Sequence, residues 1–159
     1  MSAMPANLRT HLRRACSADI PAMSAIRLSV TENVLLDPSR VTLQMYEDYL
    51  DRQGRGWVAE VDGVVAAFCY ADREEASIWA LFVSPPYEGQ GLGKALLALA
   101  VAWLFDLGHG RIKLGTTPAT RADRFYAAQG WTRLPGEGRE VEYVLEKRDH
   151  THQHALHER

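Results

Sequence analysis

Residues 77–97 read SIWALFVSPPYEGQGLGKALL, two apolar segments joined by a polar turn that contains three glycines. The first segment, Ser77–Val83, predicts a β-strand, because it is short, apolar and followed by turn residues. The second begins a helix predicted over residues 91–107, which is apolar on nearly every face and must be covered on several sides. A glycine loop between a strand and a helix favours an anion site, because exposed N–H groups and the helix dipole both point at it.

Two common phosphate-binding motifs do not fit this loop. A P-loop requires a glycine at the position of Glu88 and a serine or threonine after Lys94, where Ala95 stands. A dinucleotide fingerprint requires a third glycine at the position of Lys94, and an acidic residue about 20 residues later, near Arg111 and Lys113. Both motifs are excluded, which leaves a third phosphate motif or a plain strand-to-helix turn without a ligand.

The flanking sequence predicts a mixed sheet with helices on both faces. Residues 57–61 and 64–68 flank Asp62-Gly63, a typical sequence for the type I′ turn of a hairpin. Periodicity, capping residues and breakers predict further strands over residues 8–14, 112–116, 131–134 and 140–145. They also predict helices over residues 43–50 and 120–129, and a first helix that residues 17–19 cap and that runs to about residue 30. The order β-α-α-β-β-β-α-β-α-β-β indicates an α/β fold of the mixed α+β type.

Composition narrows the class of protein. The 159 residues are 47% apolar and 24% charged, with a net charge of −2, which is typical of a globular domain and does not indicate a nucleic-acid interface. The longest apolar run, residues 95–105, is far shorter than the roughly 20 residues of a membrane span. Residues 1–11 lack the apolar core of a signal peptide.

We therefore expect a cytoplasmic protein whose two cysteines, Cys16 and Cys69, are reduced and structural. One domain is expected over residues 1–146, followed by a polar, flexible tail over residues 147–159. The tail carries four histidines, at positions 150, 152, 154 and 157, but they lie beyond the last predicted strand without a preorganised partner. No metal site is expected there.

The glycine loop resembles motif A of the GNAT acetyltransferase superfamily, which reads Gln/Arg-x-x-Gly-x-Gly/Ala after a strand ending in Val-x-Pro. Here Val83-Ser84-Pro85 precedes Glu88-Gly89-Gln90-Gly91-Leu92-Gly93. Glu88 stands where the family usually has Gln or Arg, and a carboxylate beside a pyrophosphate is unfavourable. The resemblance implies a GNAT-like fold, with a central, mostly antiparallel twisted sheet of six to seven strands and helices on both faces.

A second segment, RADRFYAAQGW over residues 121–131, resembles the family pattern A-x-x-(F/Y/L)-Y-x-x-x-G-(F/W). In the family this tyrosine lies near the CoA sulfur and donates a proton to the departing thiolate, and Tyr126 occupies the matching position. A half-buried packing tyrosine is the alternative. The family often has Asn where Ala119 stands, and Thr117 or Thr120 could replace its polar contact. The resemblance covers about residues 8–145.

What this resemblance implies is an acetyl-CoA-dependent N-acetyltransferase, with direct attack by a neutral amine, no covalent enzyme intermediate and no metal. Phe82 and Val83 would contact the pantetheine arm, and one of their N–H groups would stabilise the oxyanion. The cofactor-binding residues implied in this way are Phe82, Val83, Glu88, Gly89, Gln90, Gly91, Leu92, Gly93, Lys94, Thr117 and Tyr126.

The acceptor site is less determined. An amine with a pKa of about 10 is mostly protonated near pH 7, so a base or a water chain must remove its proton. Glu32 follows the first predicted helix, in a region that lines the acceptor pocket of the superfamily, and we predict it as base or amine anchor. A solvated charge at a helix end is the alternative. Asn33 and Trp79 are further candidates for substrate binding, and Tyr46 is a weaker one.

Other functions stay open at this point. A CoA-binding regulatory or interaction module without turnover would fit the unusual Glu88, and a different acyl group or a hydroxyl acceptor is a milder alternative. The acceptor class extends from small amines to peptides and proteins. Exposed edge strands would allow a homodimer.

Overall fold

The computed structural model describes residues 9–30, 43–135 and 140–148. A seven-stranded sheet has the strand order β1-β2-β3-β4-β5-β7-β6. Only the β4–β5 pair is parallel among the described strands. The GNAT-like α/β fold with a mostly antiparallel sheet is thus confirmed. The strands are β1 Thr10–Arg14, β2 Gly54–Val61, β3 Val64–Asp72, β4 Ser77–Val83, β5 Arg111–Thr116, β6 Thr132–Arg133 and β7 Val141–Glu146.

Helices cover both faces of this sheet. Successive residues of β3 alternate between two apolar clusters, with Cys69 in the cluster under one face and Phe68 and Tyr70 in the other. The helices are α1 Ile20–Ser29, α2 Leu43–Asp48, α3 Leu92–Asp106 and α4 Arg121–Ala128. α1 and α2 pack in the cluster of Phe68, whereas α3 and α4 pack in the cluster of Cys69. Among the described helices, none is both long and apolar enough to cross a membrane.

Local chemistry explains where the elements turn and end. Asp62 and Gly63 have φ angles of 52° and 83°, as the type I′ hairpin turn requires. At the start of α4 the Thr120 hydroxyl accepts a hydrogen bond from the Asp123 N–H at 3.2 Å, which satisfies one of the free donors of the first turn. The first helix, for which residues 17–19 are the predicted capping segment, is found as α1, with Asp19 at its N-cap and Pro21 in its first turn, and Ser17–Asp19 form a 3₁₀ turn before it.

β4 has two irregularities that shape the molecule around it. On the β3 side the register passes from Ala80 opposite Tyr70 to Ile78 opposite Ala71, so Trp79 is an extra residue that forms a β-bulge. On the β5 side, Ser77–Lys113 is the pair that joins the strands. The backbone of β4 beyond this point lacks a β5 partner among the described residues. The two strands therefore separate towards the carboxyl end of β4.

Candidate active site

A cleft of about 350 Å³ lies at the carboxyl end of β4, where this strand lacks a β5 partner among the described residues. It is lined by the end of β4, the glycine loop, the start of α3 and one face of α4. Most of the residues implied for cofactor binding line it, namely Phe82, Val83, Glu88, Gly89, Gly91, Leu92, Gly93, Lys94 and Tyr126. Gln90 and Thr117 do not, and their cofactor contacts stay predictions. The cleft also involves residues that were not predicted, namely Val30, Leu81, Tyr87, Arg121, Ala122, Phe125 and Gln129.

The glycine loop has the geometry of an anion site. Gly89 and Gly91 have φ angles of 82° and 84°, a left-handed conformation that costs other residues about 1–2 kcal/mol. No described atom lies within 4 Å of the place where a Cβ would be at either glycine, so a ligand can approach the backbone. Gly91 is also the N-cap of α3, and no described side chain caps this helix. Its first N–H groups are therefore available to an anion.

Glu88 is paired with Arg121 across the cleft. The Arg121 guanidinium donates a hydrogen bond from Nη1 to Glu88 Oε1 at 3.0 Å. Glu88 directly follows a 3₁₀ turn, Pro85–Tyr87, whereas Arg121 is the first residue of α4, so the pair joins two walls. The cleft lining therefore contains two cationic side chains, Lys94 and Arg121, and one carboxylate, Glu88. The repulsion that Glu88 would exert on a phosphate is thus offset.

Four of the unpredicted residues, Arg121, Ala122, Phe125 and Gln129, lie in the quoted segment of residues 121–131. Arg121 immediately precedes the alanine of the A-x-x-F-Y pattern, and Phe125 is the aromatic residue of that pattern. Because Thr120 is a recognisable cap, the sequence could have placed Arg121 at the first position of the helix. The pattern does not predict the contact between Arg121 and Glu88, because 33 residues separate them in the sequence.

Tyr126 lines the cleft and also packs in the core. Its ring centroid lies 6.0 Å from that of Trp131 and 5.9 Å from that of Tyr143, and the residue is 6% exposed. Burial raises the pKa of its hydroxyl above the ordinary value, and the nearby Cys69 acts in the same direction. The hydroxyl therefore stays protonated throughout the neutral range. This is compatible with a proton donor and with a packing tyrosine alike, so the catalytic role stays a prediction.

The start of α4 is held by a small polar network. Asp123 accepts hydrogen bonds from the Ala119 N–H, at 2.9 Å, and from the Tyr143 hydroxyl. Both bonds favour the ionised form, so they lower the pKa of the Asp123 carboxyl. Ala119 has a φ of 63°, which Asn tolerates better than Ala. The Thr117 carbonyl accepts from the Thr120 hydroxyl at 2.7 Å, so Thr117 contributes to the turn before α4.

A second cavity of about 310 Å³ lies beside the start of β4, and Trp79 is part of its wall. Glu140, Glu142 and Lys113 supply its charged lining. The Glu140 carboxylate lies over Gly115, where an added Cβ would be 2.9 Å from Oε1. The Trp79 ring packs against Tyr70 at 4.8 Å, and its Nε1 is buried without a hydrogen-bond partner among the described residues. Trp79 thus lies apart from the cleft lining.

The remaining candidates for the acceptor site have different outcomes. Glu32 and Asn33 lie outside the described residues, so their roles stay predictions. Tyr46 is 2% exposed and packs between Phe68 and Trp79, with centroid distances of 6.1 Å to each ring. It is therefore a core residue of the α1–α2 side in this structure. The four histidines of residues 150–157 also lie outside the described residues.

Known proteins agree with this arrangement at the level of family and fold. The model of the acetyltransferase (GNAT) family matches residues 21–131. A GNAT-family acetyltransferase from Staphylococcus aureus Mu50 superposes with a TM-score of 0.73 at 17% identity, over 87% of this chain and 99% of that one. The paiA N-acetyltransferase of Thermoplasma acidophilum, solved with coenzyme A, gives a TM-score of 0.72 at 12% identity, over 87% and 99% of the two chains.

Two further relatives complete the comparison. The putative acetyltransferase yncA from Salmonella typhimurium, solved with acetyl-CoA, has a TM-score of 0.70 at 19% identity over 86% of this chain and 93% of that one. An uncharacterized, ycf52-like N-acetyltransferase from Prochlorococcus marinus is 39% identical over 61 residues, which are 38% of this chain and 33% of that protein. The match therefore spans about a third of that curated relative.

Proposed function

We propose that this chain, which belongs to the acetyltransferase (GNAT) family, moves the acetyl group of acetyl-CoA to a primary amine of a small molecule or peptide. One observation carries the proposal. The glycine loop, in which Gly89 and Gly91 have left-handed backbone with no described atom within 4 Å, leads into α3 beside the part of β4 that has no β5 partner among the described residues. Two relatives of this fold were solved with acetyl-CoA or coenzyme A, which supports the same cosubstrate here.

The cleft suits the donor along its whole length. N–H groups of residues 89–93 and the start of α3 would bind the pyrophosphate. The free edge of β4 at Phe82 and Val83 would bind the pantetheine arm through main-chain hydrogen bonds, as a sheet edge binds an added strand. An N–H of Phe82 or Val83 would then stabilise the oxyanion that forms at the thioester carbonyl. Each of these contacts uses backbone groups, so the departure at Glu88 leaves them in place.

The reaction requires two proton movements. The amine nitrogen forms a bond to the acetyl carbon as the carbon–sulfur bond breaks, and the nitrogen loses a proton to a base or to water. The departing thiolate takes a proton from the Tyr126 hydroxyl, which recovers one from solvent. Glu32 is the proposed base or amine anchor. Trp79 and Asn33 are proposed for the acceptor side, where Glu140 and Glu142 would attract an ammonium group.

The proposal is tested by thiol release from acetyl-CoA with a panel of primary amines. Wild-type protein should release thiol with at least one amine, and Tyr126→Phe should lower kcat on the order of 10²-fold with CoA affinity little changed. Tyr49→Phe, which removes a hydroxyl outside the cleft, is the control and should keep the wild-type kcat. An unchanged rate in Tyr126→Phe would remove the proposed acid.

CoA binding without thiol release from any acceptor would instead favour a regulatory module. Release with alcohols or with another acyl-CoA would redefine the substrates.

Three broader expectations belong to this proposal. Residues 1–146 would form the catalytic domain and residues 147–159 a flexible tail, the protein would be cytoplasmic, and it could form a homodimer through an exposed sheet edge. Light scattering of the purified chain tests the homodimer. CoA binding by the chain without residues 147–159 tests the domain boundary. A truncated chain that fails to bind CoA would contradict the domain boundary.

A further inference from the structure

The ion pair of Glu88 and Arg121 lies in the cleft that the proposed function assigns to the phosphates of CoA. It is the point where the turn before the glycine loop and the start of α4 meet through charged side chains. Both residues line the cleft, and their side chains are 35% and 54% exposed. Exposed pairs of this kind are weak, because solvent screens them. A more highly charged anion can therefore compete for the guanidinium.

Arg121 is well placed for such an exchange. Its backbone is fixed as the first residue of α4, where the cap formed by Thr120 and the contacts of Asp123 hold the helix start. A guanidinium presents N–H donors in a planar fork that matches two oxygens of a phosphate. By contrast, Arg124 lies one turn further along α4, is exposed and does not line the cleft.

We propose that Arg121 binds the diphosphate of CoA, and that Glu88 is its counter-ion in the empty cleft. On binding, a phosphate oxygen takes the place of Glu88 Oε1 at the guanidinium. The diphosphate is chosen over the 3′-phosphate, because Glu88 directly precedes the loop whose N–H groups face the anion. This inference rests on the proposed function, since it requires a CoA ligand. It makes Arg121 the residue that supplies the side-chain N–H donors which the family's Gln or Arg would bring at position 88.

The first test measures binding of CoA and of 3′-dephospho-CoA by calorimetry. Arg121→Gln should weaken both ligands by about tenfold, as expected for the loss of one charge-assisted hydrogen bond. Arg124→Gln is the matched control and should bind both like wild type. Glu88→Gln should tighten both by about threefold, because it removes a competing carboxylate and a repulsive charge. Arg121→Lys should recover part of the loss, since it keeps the charge without the fork.

Kinetics and thermal unfolding separate binding from a structural role. Arg121→Gln should raise KM for acetyl-CoA with kcat unchanged, because the lost contact is the same in ground and transition states. Its Tm should equal that of Arg124→Gln. A Tm that falls in Arg121→Gln alone, together with lower kcat, would show that the pair only supports α4 and would overturn the proposal.

The remaining outcomes are equally decisive. Wild-type binding in Arg121→Gln, or weaker binding in Glu88→Gln, would overturn the exchange and leave the proposed function intact. A loss confined to CoA, with dephospho-CoA unaffected, would overturn the diphosphate assignment in favour of the 3′-phosphate. Wild-type protein that binds neither ligand would contradict the proposed function itself.

Discussion

The two cavities beside β4 are built in different ways. The cleft at the glycine loop owes its shape to the backbone: left-handed glycines, a helix start and a strand edge without a β5 partner. The cavity beside Trp79 is shaped by side chains from β4, β5 and the start of β7, which are distant in sequence. Backbone shape follows from a short motif, whereas a side-chain pocket requires the assembled sheet. Most of the cleft proposed for the donor therefore belongs to the single segment of residues 77–97, with α4 as its other wall, whereas the second cavity has no such segment.

The largest expected effect comes from changing the backbone of the donor cleft. Gly91→Ala forces a side chain into the left-handed conformation at φ 84° and places a methyl group where the ligand would approach. CoA affinity should fall on the order of 10²-fold, since strain and the lost N–H contacts add.

Gly63→Ala is a matched control, because Gly63 has φ 83° and similarly open surroundings in a hairpin turn. It should lose similar stability and keep CoA affinity. Equal affinities in the two variants, measured by calorimetry, would contradict the backbone account of the donor cleft.

A smaller effect concerns the ion pair at the start of α1. Asp19 is 6% exposed and accepts two hydrogen bonds at 2.8 Å from Arg13 and one at 2.9 Å from the Cys16 N–H. Arg13 is the main cause that lowers the pKa of Asp19 from 3.8 to about 2. Because the folded pKa is depressed, the stabilisation is present above about pH 4 and is lost as the pH falls towards 2.

Asp19→Asn should therefore reduce the free energy of unfolding at pH 7 by about 2 kcal/mol. The difference from wild type should shrink as the pH falls from 4 to 2, in denaturant titrations of both proteins. A difference that is independent of pH would show that packing, and not the charge, holds α1.

The third effect concerns Trp79, which is proposed for the acceptor side. Trp79→Phe keeps an aromatic ring against Tyr70 and removes the buried Nε1–H that lacks a partner among the described residues. If this N–H binds the acceptor, KM for the amine should rise about tenfold, while CoA affinity and stability stay near wild type. Steady-state kinetics with both substrates varied checks this. A rise in KM for acetyl-CoA instead would place Trp79 on the donor side.

The smallest effect tests the strain at the start of α4. Ala119→Gly should stabilise the protein by about 0.5 kcal/mol, because glycine relieves the left-handed conformation at φ 63° but adds entropy to the unfolded chain. Ala127→Gly, at an exposed helical position of α4, should destabilise by about 1 kcal/mol. Thermal unfolding of the two variants measures whether each change in stability has the expected sign. Destabilisation by Ala119→Gly would contradict the strain.

The sequence predicts those parts of the fold that depend on neighbouring residues. The Asp62-Gly63 hairpin, the glycine loop and α3 each follow from a short window, and each is found where it is predicted. Strand order is different, because β7 lies between β5 and β6, and no local pattern encodes that position. The bulge at Trp79 and the pair of Glu88 with Arg121 likewise depend on contacts between elements.

The most direct test of the central claim is the fate of a labelled acetyl group. Wild-type protein is incubated with acetyl-labelled CoA and the amine panel, and the products are analysed by mass spectrometry beside Gly91→Ala and Gly63→Ala. We expect a labelled acetyl group on the amine nitrogen with wild type and Gly63→Ala, and strongly reduced product with Gly91→Ala. Tight CoA binding by the wild type without any acetylated amine, or equal product from the two glycine variants, would contradict the central claim.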